Sequence, residues 1–371
     1  MSEPAAATRG KRRLRLSRAA WQQLSHRIDA SSHFPWSKRF SYGLAGIGYS
    51  ALFRIQHASH EDRIKATEPL PPIFLLGFWR SGTTLLHELF CCDPRFGFPS
   101  TYACLNPSHF LLTEAWQRRQ SQPLARRPMD DMRYSWSSPQ EDEFALLAMG
   151  ARSPYEALLF PSLMREARAL LDLGNLPREQ QERWSETFQY FLRLLTIQQP
   201  KRMVLKSPPH GFRLPSLIRL FPRAGYVIIE RNPYEIFASN LTLWKTLLDL
   251  YSLEQVSQPE IEAFVLAAYR LHEEILGEAM RHREAPSIAH VRFEHLVDQP
   301  VLEMERLYSE LDLGDFARVR PRLEEYVARV AGHKRNSFRI SPAQKERVDA
   351  AWGEWIQKKG YGLSDQYVTV A

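Results

Sequence analysis

Three short apolar runs stand out in a chain that is otherwise patterned for helices. Ile73-Phe74-Leu75-Leu76, Met203-Val204-Leu205 and Tyr226-Val227-Ile228-Ile229 carry no charge, as strands buried on both faces do, and mark the second and third core strands as 202–206 and 225–230. Each gives way to helical spacing, at 85–90, 212–221 and about 233–250. The same spacing recurs at about 140–150, 160–172, 179–199, 258–282, 300–311, 320–330 and 342–358, with a fourth short strand at 288–293. Strands alternating with helices predict an α/β fold: a parallel sheet flanked by helices on both faces. Before the first strand, residues 1–20 read as an arm and 21–66 as helices with a Ser-Ser-His-Phe-Pro break. Between Pro94 and Pro139 the chain reads as irregular and rich in Pro, Ser and aromatics, which suits a loop region facing a substrate.

The junctions after these strands carry the chemistry. Gly77-Phe78-Trp79-Arg80-Ser81-Gly82-Thr83-Thr84 joins the first strand to its helix. Loop N–H groups and a helix N-terminus together cradle an anion. Gly77 and Gly82 have Walker A spacing and Thr84 holds the place of its last hydroxyl, but Thr83 stands where the lysine belongs. Positive charge comes from Arg80 instead. That suits a ligand with fewer phosphates than a Mg-nucleoside triphosphate.

After the third run come Glu230-Arg231-Asn232-Pro233-Tyr234-Glu235, with Ser239 two turns on. Asn232 is a candidate N-cap, Pro233 fits N1, and Glu235 at N3 completes a capping-box pattern. Arg231 at a strand end offers a forked donor to a phosphate, and Ser239 adds a hydroxyl. After the second run, Leu205-Lys206-Ser207-Pro208-Pro209 puts Lys206 at another strand end, where open α/β sheets bind ligands.

These three segments, in this order, resemble the sulfotransferases that use 3′-phosphoadenosine-5′-phosphosulfate (PAPS), in particular the bacterial group with Arg-Ser-Gly-Thr-Thr loops. The resemblance covers residues 70–360. It implies a P-loop-like sulfotransferase fold and transfer of a sulfuryl group from PAPS to a hydroxyl, giving a sulfate ester and adenosine 3′,5′-bisphosphate. It gives Arg80, Ser81, Gly82, Thr83 and Thr84 to the 5′-phosphosulfate, and Arg231 with Ser239 to the 3′-phosphate. Lys206 would touch the transferring group or the bridging oxygen. It also suggests Lys334 and Arg335, in a basic loop between C-terminal helices, as a cover for the 3′-phosphate. No metal is required by this chemistry, because the leaving group is a single phosphate.

Sulfuryl transfer needs a base near the acceptor hydroxyl. It also needs stabilisation of the charge that develops on the leaving phosphate and equatorial oxygens, for which Arg80, Lys206 and the loop N–H groups are the candidates. Related bacterial enzymes carry a Pro followed by paired acids between the two cofactor motifs, and Ser138-Pro139-Gln140-Glu141-Asp142-Glu143 is similar. Glu141 is the first candidate and Asp142 the second. The competing reading is structural: Ser138 and Glu141 form a capping box, with Pro139 at N1 and acids favouring a helix start. His87, His109 and His210 are further candidates.

Composition narrows the rest. The 371 residues, 44% hydrophobic, suffice for one large domain over 41–371 behind a basic arm, 1–40. Net charge is +7, and residues 1–40 hold nine Lys/Arg against Glu3 and Asp29, so the excess belongs to that arm. A nucleic-acid face spread over the domain is not expected. Cys91, Cys92 and Cys104 match neither a disulfide framework nor a common zinc pattern, which points to a reducing, cytoplasmic setting. Segment 42–53 is apolar but too short for a bilayer, which takes about 20 residues. With the basic residues and Trp21 upstream it suits either peripheral contact with an anionic membrane surface or an ordinary helix packing on the domain behind a basic arm. The acceptor class stays open among small molecules, lipids and carbohydrates. The rival functions are a P-loop nucleotide kinase, disfavoured by the missing lysine, and a non-catalytic anion binder that associates with membranes.

Overall fold

The computed structural model describes residues 13–27, 36–120, 135–281, 288–331, 337–362 and 368–370. Its centre is a sheet of β1 (Ile73–Leu76), β2 (Phe96–Gly97), β3 (Arg202–Lys206), β4 (Gly225–Glu230) and β5 (Ile288–Arg292). The strands lie in the order β2-β3-β1-β4-β5, and every pairing is parallel. Leu75 of β1 sits between Lys206 of β3 and Val227 of β4. The three central strands therefore run out at one edge, and the three predicted motifs meet there.

Helices α1 (Arg18–Ser25) and α2 (Trp36–Ala66) precede the sheet, and α3 (Thr83–Phe90) follows β1. The long connection from β2 to β3 holds α4 (Thr101–Leu105), α5 (Phe110–Gln120), α6 (Glu143–Met149), α7 (Glu156–Leu159), α8 (Met164–Leu171) and α9 (Arg178–Gln198). Next come α10 (Leu214–Leu220) after β3, then α11 (Pro233–Tyr251) and α12 (Gln258–Ala279) after β4. The chain ends with α13 (Phe293–Asp298), α14 (Pro300–Glu310), α15 (Arg320–Val330) and α16 (Pro342–Lys358). A separate parallel pair joins β6 (Phe338–Ile340) to β7 (Val368–Val370).

Alternation along the strands feeds two cores. Phe74, Leu76, Leu205, Tyr226 and Ile228 face Trp184, Phe188 and Phe191 of α9 and Leu214 and Leu217 of α10. Ile73, Leu75, Val204, Val227 and Ile229 face Leu86, Leu89 and Phe90 of α3 and Met304, Leu307 and Tyr308 of α14. A third core lies beside the sheet and runs from Leu14 and Leu16 through α1, α7, α11 and α12 to Trp352 and Ile356 of α16.

Several expectations change here. Residues 13–27 are not a free arm: Leu14, Leu16, Trp21 and Leu24 are buried, and the Ser17 N–H donates to the Ala148 carbonyl at 2.9 Å. The arm's apolar residues alternate with its arginines, so one side packs while Arg13 lies over the Tyr42 ring and Arg15 bonds Asn106. The stretch between Pro94 and Pro139 contains α4 and α5, with Ser100 as the N-cap of α4, where a loop region is expected. The capping box at Ser138 does not form. Helix α6 begins at Glu143, and the Ser138 hydroxyl accepts from the Ser135 N–H instead.

Candidate active site

The donor side is built around the loop after β1. Gly77 can only be glycine, because a Cβ there would lie 2.5 Å from Ser81 Oγ and 2.9 Å from the Ile229 carbonyl oxygen. Gly82 has φ 103° and its face is closed by the Phe293 ring, 2.2 Å from where a Cβ would sit. Arg80 also adopts a left-handed φ, 69°, which is uncommon for a side chain of its size. The turn is held by Arg231, whose guanidinium donates to the Arg80 carbonyl at 2.9 Å and lies 4.3 Å over the Phe293 ring. Helix α3 starts at Gly82 with no side-chain cap, so its first N–H groups point into the loop. The buried Ser81 hydroxyl has no hydrogen-bond partner within the protein.

Arg80 turns its side chain toward α11, where Nε donates to Ser239 Oγ at 2.8 Å. The structure thus brings Arg80, Arg231 and Ser239 into one cluster, although 159 residues separate the first from the last. Asn232 caps α11 as expected, accepting from the Tyr234 N–H at 3.0 Å. Glu235 does not complete the predicted box. It accepts from Arg231 Nε and NH2 at 3.0 and 2.6 Å, and Glu294 takes the Asn232 N–H instead. Glu235 therefore takes the fork of the Arg231 guanidinium that was expected to face a phosphate, because a buried carboxylate four residues on is a charged partner within reach.

The acceptor side is an acidic triplet pinned against the segment after β3. Glu141 Oε1 accepts from the Lys206 ammonium at 2.9 Å. Its other oxygen accepts from the Tyr155 hydroxyl at 2.6 Å, and Tyr155 in turn accepts from Trp79 Nε1 at 3.1 Å. Burial, with Glu141 alongside, pushes the Tyr155 phenol well above its usual range, so it stays a donor. Asp142 accepts from Ser207 Oγ at 3.0 Å and meets His210 Nε2 at 2.7 Å, with both side chains sealed from solvent. Burial opposes its charge, but His210 and Ser207 hold the carboxyl below the usual range. Glu143 forms a fully buried fork with Arg213, at 2.6 and 3.0 Å, and accepts from Ser153 Oγ at 2.6 Å.

Only Glu141 of the three keeps partial exposure, 18% of its side chain. Asp142, the second base candidate, is enclosed with both oxygens committed, so the geometry turns it into a structural residue. The histidine candidates are also committed. His87 lies 3.3 Å from the Val204 carbonyl, His109 in the turn before α5 bonds Thr113 in its first turns, and His210 holds Asp142. Lys334 and Arg335 lie outside the described residues. Among the described residues, no group of three His, Cys, Asp or Glu side chains is placed to hold a metal. Sequence reasoning missed Tyr155, Trp79 and Glu235; Trp79 lies inside the loop motif itself, where its ring reads only as bulk.

A sulfotransferase family model matches residues 71–317, two thirds of the chain. The chain belongs to the sulfotransferase family. This sulfotransferase is 35% identical over 347 residues to the omega-hydroxy-beta-dihydromenaquinone-9 sulfotransferase Stf3 of Mycobacterium bovis, covering 92% of this chain and 89% of that one. Its fold is that of sulfotransferase STF9 from Mycobacterium avium, with a TM-score of 0.71 at 19% identity, covering 98% and 99% of the two chains. Sulfotransferase STF1 from Mycobacterium tuberculosis also matches, with a TM-score of 0.61 at 19% identity over 83% and 85%. The sulfotransferase is therefore a PAPS-dependent enzyme acting on a hydroxyl, and the kinase and non-catalytic readings fall. The loop fits the phosphosulfate: an unpartnered buried hydroxyl, an uncapped helix start and glycines that no side chain can replace.

Proposed function

We propose that the enzyme sulfates the hydroxyl of a lipid acceptor, with Glu141 as the base. Bound PAPS supplies the sulfuryl group and leaves as adenosine 3′,5′-bisphosphate. The loop N–H groups, Ser81, Thr83 and Thr84 would hold its 5′ end and Arg231 and Ser239 its 3′-phosphate, with Arg80, expected at the 5′ end, assigned to the 3′ side because it bonds Ser239. Glu141 takes the proton of the acceptor hydroxyl as that oxygen forms its bond to sulfur. Lys206, at 2.9 Å from Glu141, faces the same point and neutralises charge as it develops on the departing phosphate. Tyr155 keeps the carboxylate aimed.

The observation that carries this reading is the Lys206–Glu141 contact at the sheet edge, where a cation for the donor and a base for the acceptor touch. These groups supply the charge stabilisation without a metal ion, so turnover is expected to persist in EDTA. The lipid class is favoured by the 35% identical relative, whose name specifies a hydroxylated menaquinone. The basic N-terminal region favours a cytoplasmic enzyme in peripheral contact with a membrane. No helix among the described residues is long and apolar enough to cross one. The test is bisphosphate release from PAPS with an omega-hydroxylated isoprenoid quinone, a phenol and an oligosaccharide as acceptors. Release with the oligosaccharide and none with the quinone sinks the lipid reading.

A further inference from the structure

Helix α2 is apolar on two sides. Its inner side packs Tyr42, Gly46 and Gln56 into the protein. On its outer side Trp36, Phe40, Leu44, Ile47 and Ile55 are 76%, 58%, 60%, 50% and 54% exposed. At 3.6 residues per turn these five, with exposed Ala51, fall within about 100° of the helix circumference and run for about 28 Å. The stripe is a property of this stretch and not of the helix position. Continued along the same line it becomes Glu61, Asp62 and Lys65, all exposed. A water-facing helix surface is ordinarily polar, and contiguous exposed apolar patches mark contact sites.

The charges around the stripe select what covers it. No acidic residue occurs between Asp29 and Glu61, whereas exposed Arg54 lies at the edge of the stripe, on the line of Trp36. A second copy docked on the same stripe would set basic residues against basic residues. An anionic lipid surface answers both features at once, taking the aromatic and aliphatic side chains into its interface and pairing the cations with headgroups. The helix is also tied to the acceptor side. Tyr42 stacks on Trp21 of α1 at 4.8 Å, and the residue capping α1, Ser17, bonds Ala148 in α6, which starts directly after Glu141 and Asp142.

We propose that the outer face of α2, from Trp36 to Ile55, is a docking surface for an anionic membrane. The proposal gives the peripheral contact suggested above a surface, and rests on that reading. It makes the two ends of α2 unequal: the Trp36 end lies in the interface and the charged end stays in water.

The test is co-sedimentation of the full chain with phosphatidylcholine vesicles, with and without 30% phosphatidylglycerol, beside a Phe40→Glu/Ile47→Glu variant. Both residues are exposed and outside the candidate site, so bisphosphate binding serves as the control for folding. The expected result is binding to the anionic vesicles and a loss of roughly tenfold or more in the double variant. Arg54→Gln should weaken binding to the anionic vesicles and leave any binding to the neutral ones unchanged. Undiminished binding of the double variant overturns the surface while leaving membrane contact standing. Failure of the wild-type chain to bind overturns both, and leaves the acceptor assay to judge the lipid substrate separately. Sedimentation of the wild-type chain as a dimer that Phe40→Glu/Ile47→Glu dissolves, without vesicle binding, assigns the stripe to a second copy and overturns the proposal.

Discussion

The donor side and the acceptor side of this site are assembled in opposite ways. On the proposed reading, the 5′ part of the donor side is one stretch of eight residues that binds through its backbone, so its chemistry is local: glycines at two positions, a helix start and a hydroxyl. The acceptor side is made of side chains that meet only in the folded protein. Glu141 touches Lys206, 65 residues on, and Tyr155, which touches Trp79, 76 residues back. A backbone-built site tolerates substitution of most side chains within it. A side-chain-built site fails when one member is lost.

That contrast is sharpest at Glu141. Glu141→Gln should lower turnover by roughly 10²- to 10⁴-fold while bisphosphate affinity stays near wild type. Normal turnover would remove the base from this residue and make the triplet wholly structural. Lys206→Met should cost turnover about 10²- to 10³-fold, the range for losing one preorganised stabiliser of developing charge. If its loss appears only as a weaker KM for PAPS, Lys206 binds the donor and does not assist the transfer. On the donor side, Arg231→Ala should weaken bisphosphate binding about 10- to 150-fold by calorimetry, since a charged hydrogen bond is worth roughly 1.5–3 kcal/mol. The variant also frees the Arg80 carbonyl, so Arg231→Lys, which keeps charge without the fork, separates loop clamping from phosphate contact.

The smallest effect expected is at Asp142, and it concerns stability. Its folded pKa lies below its ordinary 3.8. A depressed carboxylate contributes stability that is present above the ordinary value and lost as pH falls below it toward the folded value. The acid limb of a Tm-against-pH curve should therefore steepen below about pH 4 in the wild-type chain and flatten in Asp142→Asn. Asp142→Asn should turn over far better than Glu141→Gln once corrected for folded protein. The reverse ranking would return the base to Asp142.

Much of the fold was legible because its signals are local. Residues 202–206, 225–230, 320–330 and 342–358 were bounded by sequence as the structure bounds them, each with Pro or a charge at its edge. β2 is two residues long and offers no periodicity to detect. α4 and α5 sit among prolines and serines that read as loop, and the capping serine of α4 reads the same in a turn. For the site, the loop, Lys206 and Arg231 were visible as motifs at strand ends. The distinction among Glu141, Asp142 and Glu143 was not, because it depends on what each faces. Ser207, His210 and Arg213 absorb two of the acids, and no spacing in the triplet announces which two. Glu235 shows the same limit: the pattern of a capping box was present, but Arg231 offered it a charged partner.

The burial of Leu14, Leu16 and Trp21 bears on how the molecule comes into being. These residues are synthesised well before much of the core they enter, which also contains Phe160, Trp244, Trp352 and Ile356. The segment from Leu14 to Trp21 must wait, unshielded, until Trp352 and Ile356 have been synthesised. Contacts spanning such separations close slowly, and the waiting apolar side chains are open to other partners. Truncating the protein at residue 40 to remove a supposed tail would delete that final closure.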